Sequence, residues 1–170
     1  VLFRSTIDLT AGTYSIAGGG SGTIVNVENI RLGSGDDTVT GSDASNNLFV
    51  GSGNNTVIGS SGNDNIRIEE GASSVDGGAG NDQVFFDGGL ATTLDLAAGT
   101  YGYSDGTLGT VTNVGGATGT GLNDSFTGDG SANQFSGGSG DDTLRSGGAN
   151  SGVDQLRGQN GNDTLIADGD

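Results

Sequence analysis

A nine-residue period runs through most of this chain and constrains its fold more than any other feature of the sequence. It is clearest in two segments, GGAGNDQVF at 77–85 and GGSGDDTLR at 137–145. Each reads G-G-x-G-x-D-x-U-x, where U is a large apolar residue. The glycines permit a tight turn, the aspartate points into that turn, and the apolar residue lies on the short strand that follows. Such a period predicts an all-β, parallel β-roll (β-solenoid).

The apolar residues recur at one fixed position of the period. They are expected to point inward, and they are Val39, Leu48, Val57, Ile66, Val75, Val84, Phe126, Phe135, Leu144, Leu156 and Leu165. The residue before each of them alternates between a hydroxyl and an amide side chain for most of the chain. Two nonapeptides therefore make one coil of 18 residues, so that one sheet carries a hydroxyl ladder and the other an amide ladder.

Aspartate dominates another fixed position, in the turn. Calcium takes about six to eight oxygen ligands, which carboxylates and turn carbonyls of two stacked coils can supply. Aspartate also favours turns without any metal, but its fixed phase over eleven periods favours calcium. Asn46, Asn55, Ser73 and Asn133 replace it and weaken the case at those turns. The predicted metal residues are Asp37, Asp64, Asp82, Asp124, Asp142, Asp154, Asp163, Gly33, Gly35, Gly62, Gly78, Gly80, Gly138, Gly140 and Gly161.

The composition indicates that the chain needs bound ions in order to fold. It has 37 glycines, only 31% hydrophobic residues and a formal net charge of −16. Low hydrophobicity combined with high net charge is typical of disordered chains. Divalent cations would cancel the repulsion and cross-link successive turns, so we expect folding that depends on several calcium ions.

The same composition argues against several functions. Five arginines without lysine offer no basic stripe for nucleic acid, and an acidic chain without a long apolar stretch does not suit a membrane. Because histidine and cysteine are absent, there is no zinc-protease motif, catalytic triad or thiol nucleophile. Glu69 with Glu70, and Asp8 with Asp95, are nominal carboxylate pairs that we interpret as solvated charge. No enzymatic activity is expected.

A longer repeat encloses the short one. TIDLTAGTY at 6–14 aligns with TLDLAAGTY at 93–101, a shift of 87 residues, so the chain contains two tandem copies of one unit. Each copy has a β-rich lead-in, with strands expected at 6–9, 14–16 and 23–27 in the first. The predicted divisions are a lead-in at 1–31, a calcium-binding roll at 32–85, a second lead-in at 86–118 and a second roll at 119–170.

Two binding functions are considered and set aside. Tyr14 and Tyr101 occupy equivalent positions and could stack on a sugar, but aromatic residues in strands more often serve packing. Flat sheets with regular Thr-x-Thr arrays can bind ice, and only Thr38-x-Thr40 fits that pattern in the first run. Ice binding is therefore not expected.

The segment VNVENIRLGSGDD at 25–37 resembles the strand that leads into the roll of serralysin-type secreted proteases and alginate epimerase modules. Over nearly its whole length the chain resembles the RTX (repeats-in-toxin, hemolysin-type calcium-binding) family. The resemblance implies a right-handed parallel β-roll that binds calcium. It also implies a bacterial protein that type I secretion exports unfolded and that folds outside the cell, in the medium or at the cell surface.

These features lead to two functional hypotheses. The first is a secreted, extracellular structural or adhesive scaffold, a section or subunit of a filament, surface layer or adhesin. The second is the noncatalytic C-terminal module of a type I-secreted hydrolase or epimerase. Since solenoid ends carry unpaired strand edges, copies are also expected to associate head to tail in calcium, with Ile7 and Leu9 packing near Leu165.

Overall fold

The computed structural model describes residues 4–148 and 152–168, and within these ranges all regular secondary structure is β. Two sheets are formed, a long sheet and a short sheet. The twelve strands of the long sheet are β1 (Ser5–Asp8), β2 (Thr13–Ile16), β3 (Ser21–Thr23), β5 (Thr38–Thr40), β7 (Thr56–Ile58), β9 (Ser74–Asp76), β11 (Thr92–Asp95), β12 (Thr100–Tyr103), β13 (Leu108–Thr112), β15 (Ser125–Thr127), β17 (Thr143–Arg145) and β19 (Thr164–Ile166). The seven strands of the short sheet are β4 (Asn29–Arg31), β6 (Asn47–Gly51), β8 (Asn65–Ile68), β10 (Gln83–Phe86), β14 (Gly116–Thr118), β16 (Gln134–Ser139) and β18 (Gln155–Asn160). No helix able to span a membrane occurs in these ranges.

Parallel coils stack on one another as the nine-residue period predicts. In the long sheet Val39 lies beside Val57, and Val57 beside Val75. In the short sheet Leu48 lies beside Ile66. Each of these steps is 18 residues, and the three extra residues near the end lengthen the last step in each sheet without changing the register. The predicted all-β solenoid is confirmed.

The core lies between the two sheets. All the predicted inward residues from Val39 to Leu144 are buried, and Leu156 is partly buried. Leu165 is different, being 50% exposed. Its strand, β19, is the terminal strand of the long sheet, so no further described coil covers it.

The polar side chains beside the core also stack as predicted. Asn65 Nδ2 donates to Asn47 Oδ1 over 3.1 Å, and Asn47 Nδ2 donates to Asn29 Oδ1 over 2.8 Å. Thr56 lies beside Ser74 in the long sheet. The amide ladder therefore belongs to the short sheet and the hydroxyl ladder to the long sheet.

Each lead-in forms a three-stranded antiparallel meander within the long sheet. The second meander is built into the stack, because β13 pairs in parallel with β9 and β11 pairs in parallel with β15. The first meander lies at the end of the sheet, where β1 pairs with both β2 and β5 and the outermost strand is β3. The strand expected at 23–27 is wrong in its bounds, since β3 is Ser21–Thr23. Its counterpart in the second meander, β13, is two residues longer, because hydrogen bonds to β9 keep that segment extended.

Aromatic side chains fill the coil that contains the second meander. Phe86 packs against Tyr101 with ring centroids 5.3 Å apart and against Phe126 at 6.0 Å. Tyr103 meets Phe86 edge-on at 6.3 Å. These rings supply the volume that valine and leucine supply in the regular coils, so the two rolls share one continuous core.

Candidate calcium-binding turns

The aspartates of the repeat lie on two edges of the solenoid. The first edge holds the turns that lead from the long sheet to the short sheet, and the second edge holds the turns that lead back. Asp64 and Asp82 lie on the first edge in the first roll, while Asp124, Asp142 and Asp163 lie on the second edge in the second roll. The stacking places these side chains one coil apart, and all except Asp163 are buried.

One carboxylate oxygen of each aspartate is used by the main chain. The N–H of Asp64 donates to Asp82 Oδ1 over 2.8 Å, and the N–H of Asp142 donates to Asp163 Oδ1 over 3.0 Å. The N–H of Asn46 makes the same bond to Asp64 Oδ1 at 2.7 Å. Each side chain is thereby held against the previous coil, which fixes the direction of its second oxygen.

The second carboxylate oxygen, Oδ2, has no hydrogen-bond partner in three of these aspartates. Among the described residues, four buried side-chain nitrogen or oxygen atoms have no hydrogen-bond partner, and three of them are Oδ2 of Asp64, Asp82 and Asp142. Leaving a buried polar atom unsatisfied costs about 1–3 kcal/mol, and more for a charged group. Three such carboxylate oxygens at one position of the repeat indicate that a cation completes the turns.

A glycine five residues before the aspartate lets the second carboxylate oxygen approach the backbone closely. A methyl group on Gly59 would collide with both Asp64 Oδ2 and the carbonyl oxygen of Gly77. A methyl group on Gly119 would collide in the same way with Asp124 Oδ2 and the carbonyl oxygen of Gly137. In each case a carboxylate oxygen and a main-chain oxygen face one small cradle.

These cradle glycines are the first glycine of the repeat rule, but the predicted metal residues did not include them. The signal was present, because glycine stands five residues before the turn position at Gly41, Gly59, Gly77, Gly119, Gly128, Gly137 and Gly158. At Gly41 and Gly128 the facing side-chain oxygen belongs to an asparagine, Asn46 or Asn133, instead of an aspartate.

The predicted glycines shape the turns through their backbone. Positive φ angles between 94° and 147° occur at Gly35, Gly62, Gly78, Gly80, Gly138, Gly140 and Gly161. An L-residue with a side chain would be strained in this region. Gly33 is the predicted glycine without a positive φ. Its carbonyl oxygen approaches Gly51 so closely that a methyl group there would collide with it.

Burial also affects the ionisation of the aspartates in these turns. Desolvation raises the pKa of Asp64, Asp82 and Asp142, and the N–H bond from the preceding coil offsets part of that increase. Neighbouring carboxylates raise the pKa further, as Asp82 does for Asp64. Desolvation likewise raises the pKa of Asp37 and Asp124. The carboxylates are thus costly to ionise unless a cation is present.

The two edges of the first roll differ. On the second edge, Val50 and Ile68 occupy the cradle-glycine position, and both are buried. Asn55 Nδ2 there donates to the carbonyl oxygens of Gly51 and Gly53, each at 3.3 Å. Apolar packing and neutral hydrogen bonds therefore close this edge, and calcium is best supported on the first edge of this roll.

Two of the predicted aspartates sit in less acidic surroundings. Asp37 stacks with Asn55, and its Oδ1 accepts the N–H of Ser5 at 2.6 Å. Asp154 stacks with Asn133, whose N–H donates to Asp154 Oδ1 over 2.8 Å. Each therefore has an asparagine as its stacked partner in place of a second carboxylate.

The donor set fits calcium under one condition. Within residues 4–148 and 152–168 no three acidic side chains converge on a common point. Main-chain carbonyl oxygens can supply part of the remaining ligands, because such oxygens lie next to the carboxylates of Asp64, Asp82 and Asp124 in the cradles. Hard oxygen donors of both kinds are what calcium prefers. The residues that would hold it are Asp64, Asp82, Asp124, Asp142 and Asp163, with carbonyl oxygens from the cradles.

The nominal catalytic carboxylates serve local structure. Asp8 Oδ1 accepts the N–H of Ala11 at 2.7 Å, and its counterpart Asp95 Oδ1 accepts the N–H of Ala98 at 2.9 Å. Both bonds close the turn after the first strand of a meander. Glu70 Oε1 accepts the N–H of Gly89 at 2.7 Å.

The packing interpretation of the tyrosines is confirmed at one of the two positions. Tyr101 is buried, and its hydroxyl accepts the N–H of Ser73 at 2.9 Å and donates to the carbonyl oxygen of Gly71 at 3.0 Å. Tyr14 is only half-buried at the end of the long sheet.

The outer face of the short sheet carries a column of alternating arginine and phenylalanine. The Arg31 guanidinium lies 4.6 Å from the Phe49 ring centre, and the Arg67 guanidinium lies 5.4 Å from that of Phe85. Arg67 also pairs with Asp87 at 3.1 Å. The arginines are far apart in the sequence, but the 18-residue coil brings these two onto one face.

Comparison with known protein families supports the interpretation of these turns as calcium-binding repeats. A family profile described as the RTX calcium-binding nonapeptide repeat, in four copies, matches residues 31–66, 58–90, 118–151 and 148–170. The matches cover most of the chain and leave out the two meanders. A comparison with curated protein sequences found no match.

Proposed function

The chain belongs to the RTX calcium-binding nonapeptide repeat family, and we propose that it is an extracellular, calcium-stabilised β-roll scaffold with a structural or adhesive role. One observation carries the calcium part of this proposal. Asp64, Asp82 and Asp142 each bury an Oδ2 atom that has no partner. A bound cation would satisfy these oxygens and hold neighbouring coils together.

Charge supports the same conclusion. The formal net charge is −16, and the solenoid stacks aspartates one coil apart along its edges. Self-repulsion of this kind destabilises a compact state unless counter-ions bind within it. Bound calcium would therefore contribute directly to the free energy of folding.

An extracellular location agrees with the ligand chemistry. The candidate turns at Asp64, Asp82, Asp124 and Asp142 have no cluster of three acidic side chains, and neutral carbonyl oxygens lie beside the carboxylates of the first three. Calcium affinity rises with the number of charged ligands, and extracellular modules bind at about 10⁻⁴–10⁻³ M. Sites of low ligand charge would fill outside a cell, where calcium is abundant.

A scaffold role is favoured over a module of a larger enzyme by the internal duplication. The second meander is built into the long sheet between the two rolls, so tandem copies continue one solenoid. A noncatalytic C-terminal module of a type I-secreted hydrolase or epimerase remains the alternative. Labelling intact cells of the source organism with an antibody would test the surface location, and labelling that requires cell lysis would contradict it.

Calcium binding itself is tested by calorimetric titration of the calcium-free chain. We expect saturable binding of several calcium ions and much weaker binding of magnesium, which needs a stricter octahedral ligand set. The double variant Asp64→Asn with Asp82→Asn should bind fewer ions than the original chain. Absence of saturable heat, or equal binding of the two metals, would contradict the proposal.

A further inference from the structure

A groove of about 670 Å³ lies on the outer face of the short sheet in the first roll. Ligand-binding sites typically enclose about 300–1,000 Å³, so the groove is large enough for a small ligand or a segment of a polymer. Along each strand its lining runs from an amide to the column of arginine and phenylalanine and then to an acidic residue. From β8 onward, for example, the order is Asn65, Arg67 and Glu69.

The outward direction of the column follows from the alternation of side chains along each strand. In β6 the buried Leu48 and Val50 flank Phe49, which therefore points away from the core. The parallel pairing places Phe49 beside Arg67 and Arg67 beside Phe85. Further strands added at either end of the sheet would leave this direction unchanged.

The rings and the guanidinium groups of the column hold one another in place. Arg31 lies over the ring of Phe49 and Arg67 over the ring of Phe85. Both rings are half-buried, and Arg67 is also paired with Asp87. Side chains that are already positioned lose little freedom when a ligand binds, so the column forms a preorganised platform.

The amide ladder beside the column keeps unused hydrogen-bonding groups. An asparagine side chain has two N–H donors and an oxygen with two lone pairs. In the ladder Asn47 donates one N–H to Asn29 and accepts one from Asn65. Because Asn47 and Asn65 are exposed, the second N–H and the second lone pair of Asn47 are open to a ligand.

This combination of groups fits the chemistry of a sugar chain. Sugars have apolar C–H faces, which pack on aromatic rings, and hydroxyl edges, which both donate and accept hydrogen bonds. Neighbouring strands are about 4.8 Å apart, which is close to the length of one sugar residue in an extended polysaccharide. Amides on successive strands, and rings on alternate strands, therefore recur in step with such a chain.

Charge favours a neutral ligand in this groove. Arg67 is paired with Asp87, and Glu69 lines the same groove, so two carboxylates match the guanidinium groups of Arg31 and Arg67. The formal net charge of −16 also repels an approaching polyanion.

The second roll lacks the same platform. Its counterparts of Arg31, Phe49 and Arg67, shifted by 87 or 90 residues, are Thr118, Ser136 and Arg157. In the described part of the second roll, no aromatic ring occupies this column of the short sheet. Arg157 therefore provides a matched control for Arg67.

We propose that the outer face of the short sheet in the first roll binds a neutral polysaccharide in an extended conformation. The polysaccharide lies along the solenoid axis across β4, β6, β8 and β10. Phe49 and Phe85 contact its apolar faces, while Asn47, Asn65 and Arg67 bond its hydroxyl groups. The inference rests on the proposed adhesive role and identifies the chemistry of what is bound.

Calorimetric titration in calcium tests the proposal with three β-1,4-linked probes, cellohexaose, xylohexaose and mannohexaose. We expect at least one of them to bind. Phe49→Ser gives the first roll the residue of the second and should weaken binding by about tenfold, because a ring contact is lost. Arg67→Gln should also weaken binding, whereas Arg157→Gln should leave it unchanged. Circular dichroism in calcium would establish that each variant is folded.

The length of the probe and its charge give further tests. Four strands span about 14 Å, so affinity for the best probe should rise up to a tetrasaccharide and then level off. Failure of all three probes to bind, equal losses in Arg67→Gln and Arg157→Gln, or tighter binding of an anionic alginate hexamer would overturn the proposal. Self-association of the original chain that Phe49→Ser abolishes would show that the face takes a second copy instead.

Repeating the titration and the circular dichroism in a chelator separates this inference from the proposed function. If the fold depends on calcium and no probe binds in calcium, the scaffold survives and the polysaccharide site is refuted. If a probe binds equally in calcium and in chelator and the fold does not respond, the site survives and the calcium-stabilised scaffold is refuted.

Discussion

The main-chain N–H of Asp124 donates a 2.8 Å hydrogen bond to Oδ1 of Asp142, which lies 18 residues later in the next coil. Oδ2 of Asp142 is buried and has no partner. The two oxygens of one carboxylate therefore have separate roles. One joins the coils through the backbone, and the other is directed to the cradle where we propose a cation.

Replacing Asp142 should weaken calcium binding more than replacing Asp154. Asp142 lies between two other aspartates of its stack, whereas Asp154 stacks with Asn133. An asparagine keeps the Oδ1 acceptor but removes the charge. We expect Asp142→Asn to lower calcium affinity by roughly tenfold at the affected sites, about 1.4 kcal/mol, and Asp154→Asn by less. Calorimetric titration checks this, and equal or reversed losses would refute the ranking.

Filling a cradle should destabilise the calcium-bound chain. The methyl group of Gly59→Ala would collide with Asp64 Oδ2 and the Gly77 carbonyl oxygen, so we expect a loss of about 1–3 kcal/mol in unfolding free energy. Gly121→Ala is the matched control, because a methyl group there meets nothing within 4 Å. Denaturant unfolding in calcium measures both. Similar stabilities for the two variants would show that the space beside Gly59 has no special role.

The hydroxyl of Tyr101 should stabilise the junction between the two copies. Tyr101→Phe leaves the buried N–H of Ser73 without an acceptor, which should cost about 1–3 kcal/mol. Tyr14→Phe changes the equivalent, half-buried residue at the end of the sheet and should cost far less in dilute solution. Thermal unfolding of both variants makes the comparison, and equal losses would contradict it.

Acid should stabilise the calcium-free chain. Burial raises the pKa of Asp64, Asp82 and Asp142, so the folded chain binds more protons than the unfolded chain between the unfolded pKa, about 3.9, and the raised values. Its stability should increase as pH falls through the raised pKa values and level off near the unfolded value. Circular dichroism of calcium-stripped protein from about pH 7 to pH 4 tests this, and a steady loss of β signal would contradict it.

The stacking register could be predicted because it depends on local spacing. Val39, Val57 and Val75 recur every 18 residues, and the inward direction of each follows from the turn glycines before it. The same spacing located the stacked aspartates. Polar ladders such as Asn47 beside Asn65 followed from the alternation within each coil.

Contacts between distant parts of the chain could not be predicted in this way. Spacing within the second meander does not show that Val111 lies beside Val75, because that pairing joins an irregular segment to a regular one. The closed second edge of the first roll depends on Val50 and Ile68, whose burial follows from packing between coils. The glycine at position 59 could be read from the repeat, but its contact with the Gly77 carbonyl oxygen of the next coil could not.

Removal of calcium tests the central claim most directly. Far-ultraviolet circular dichroism and thermal unfolding would be recorded at neutral pH in calcium, in a chelator and after calcium is restored, with magnesium as the control. Because the chain carries a net charge of −16 and only 31% hydrophobic residues, we predict that the β signal is lost in chelator and returns with calcium but not with magnesium. A β signal and a thermal stability that are unchanged in chelator would contradict calcium-dependent folding.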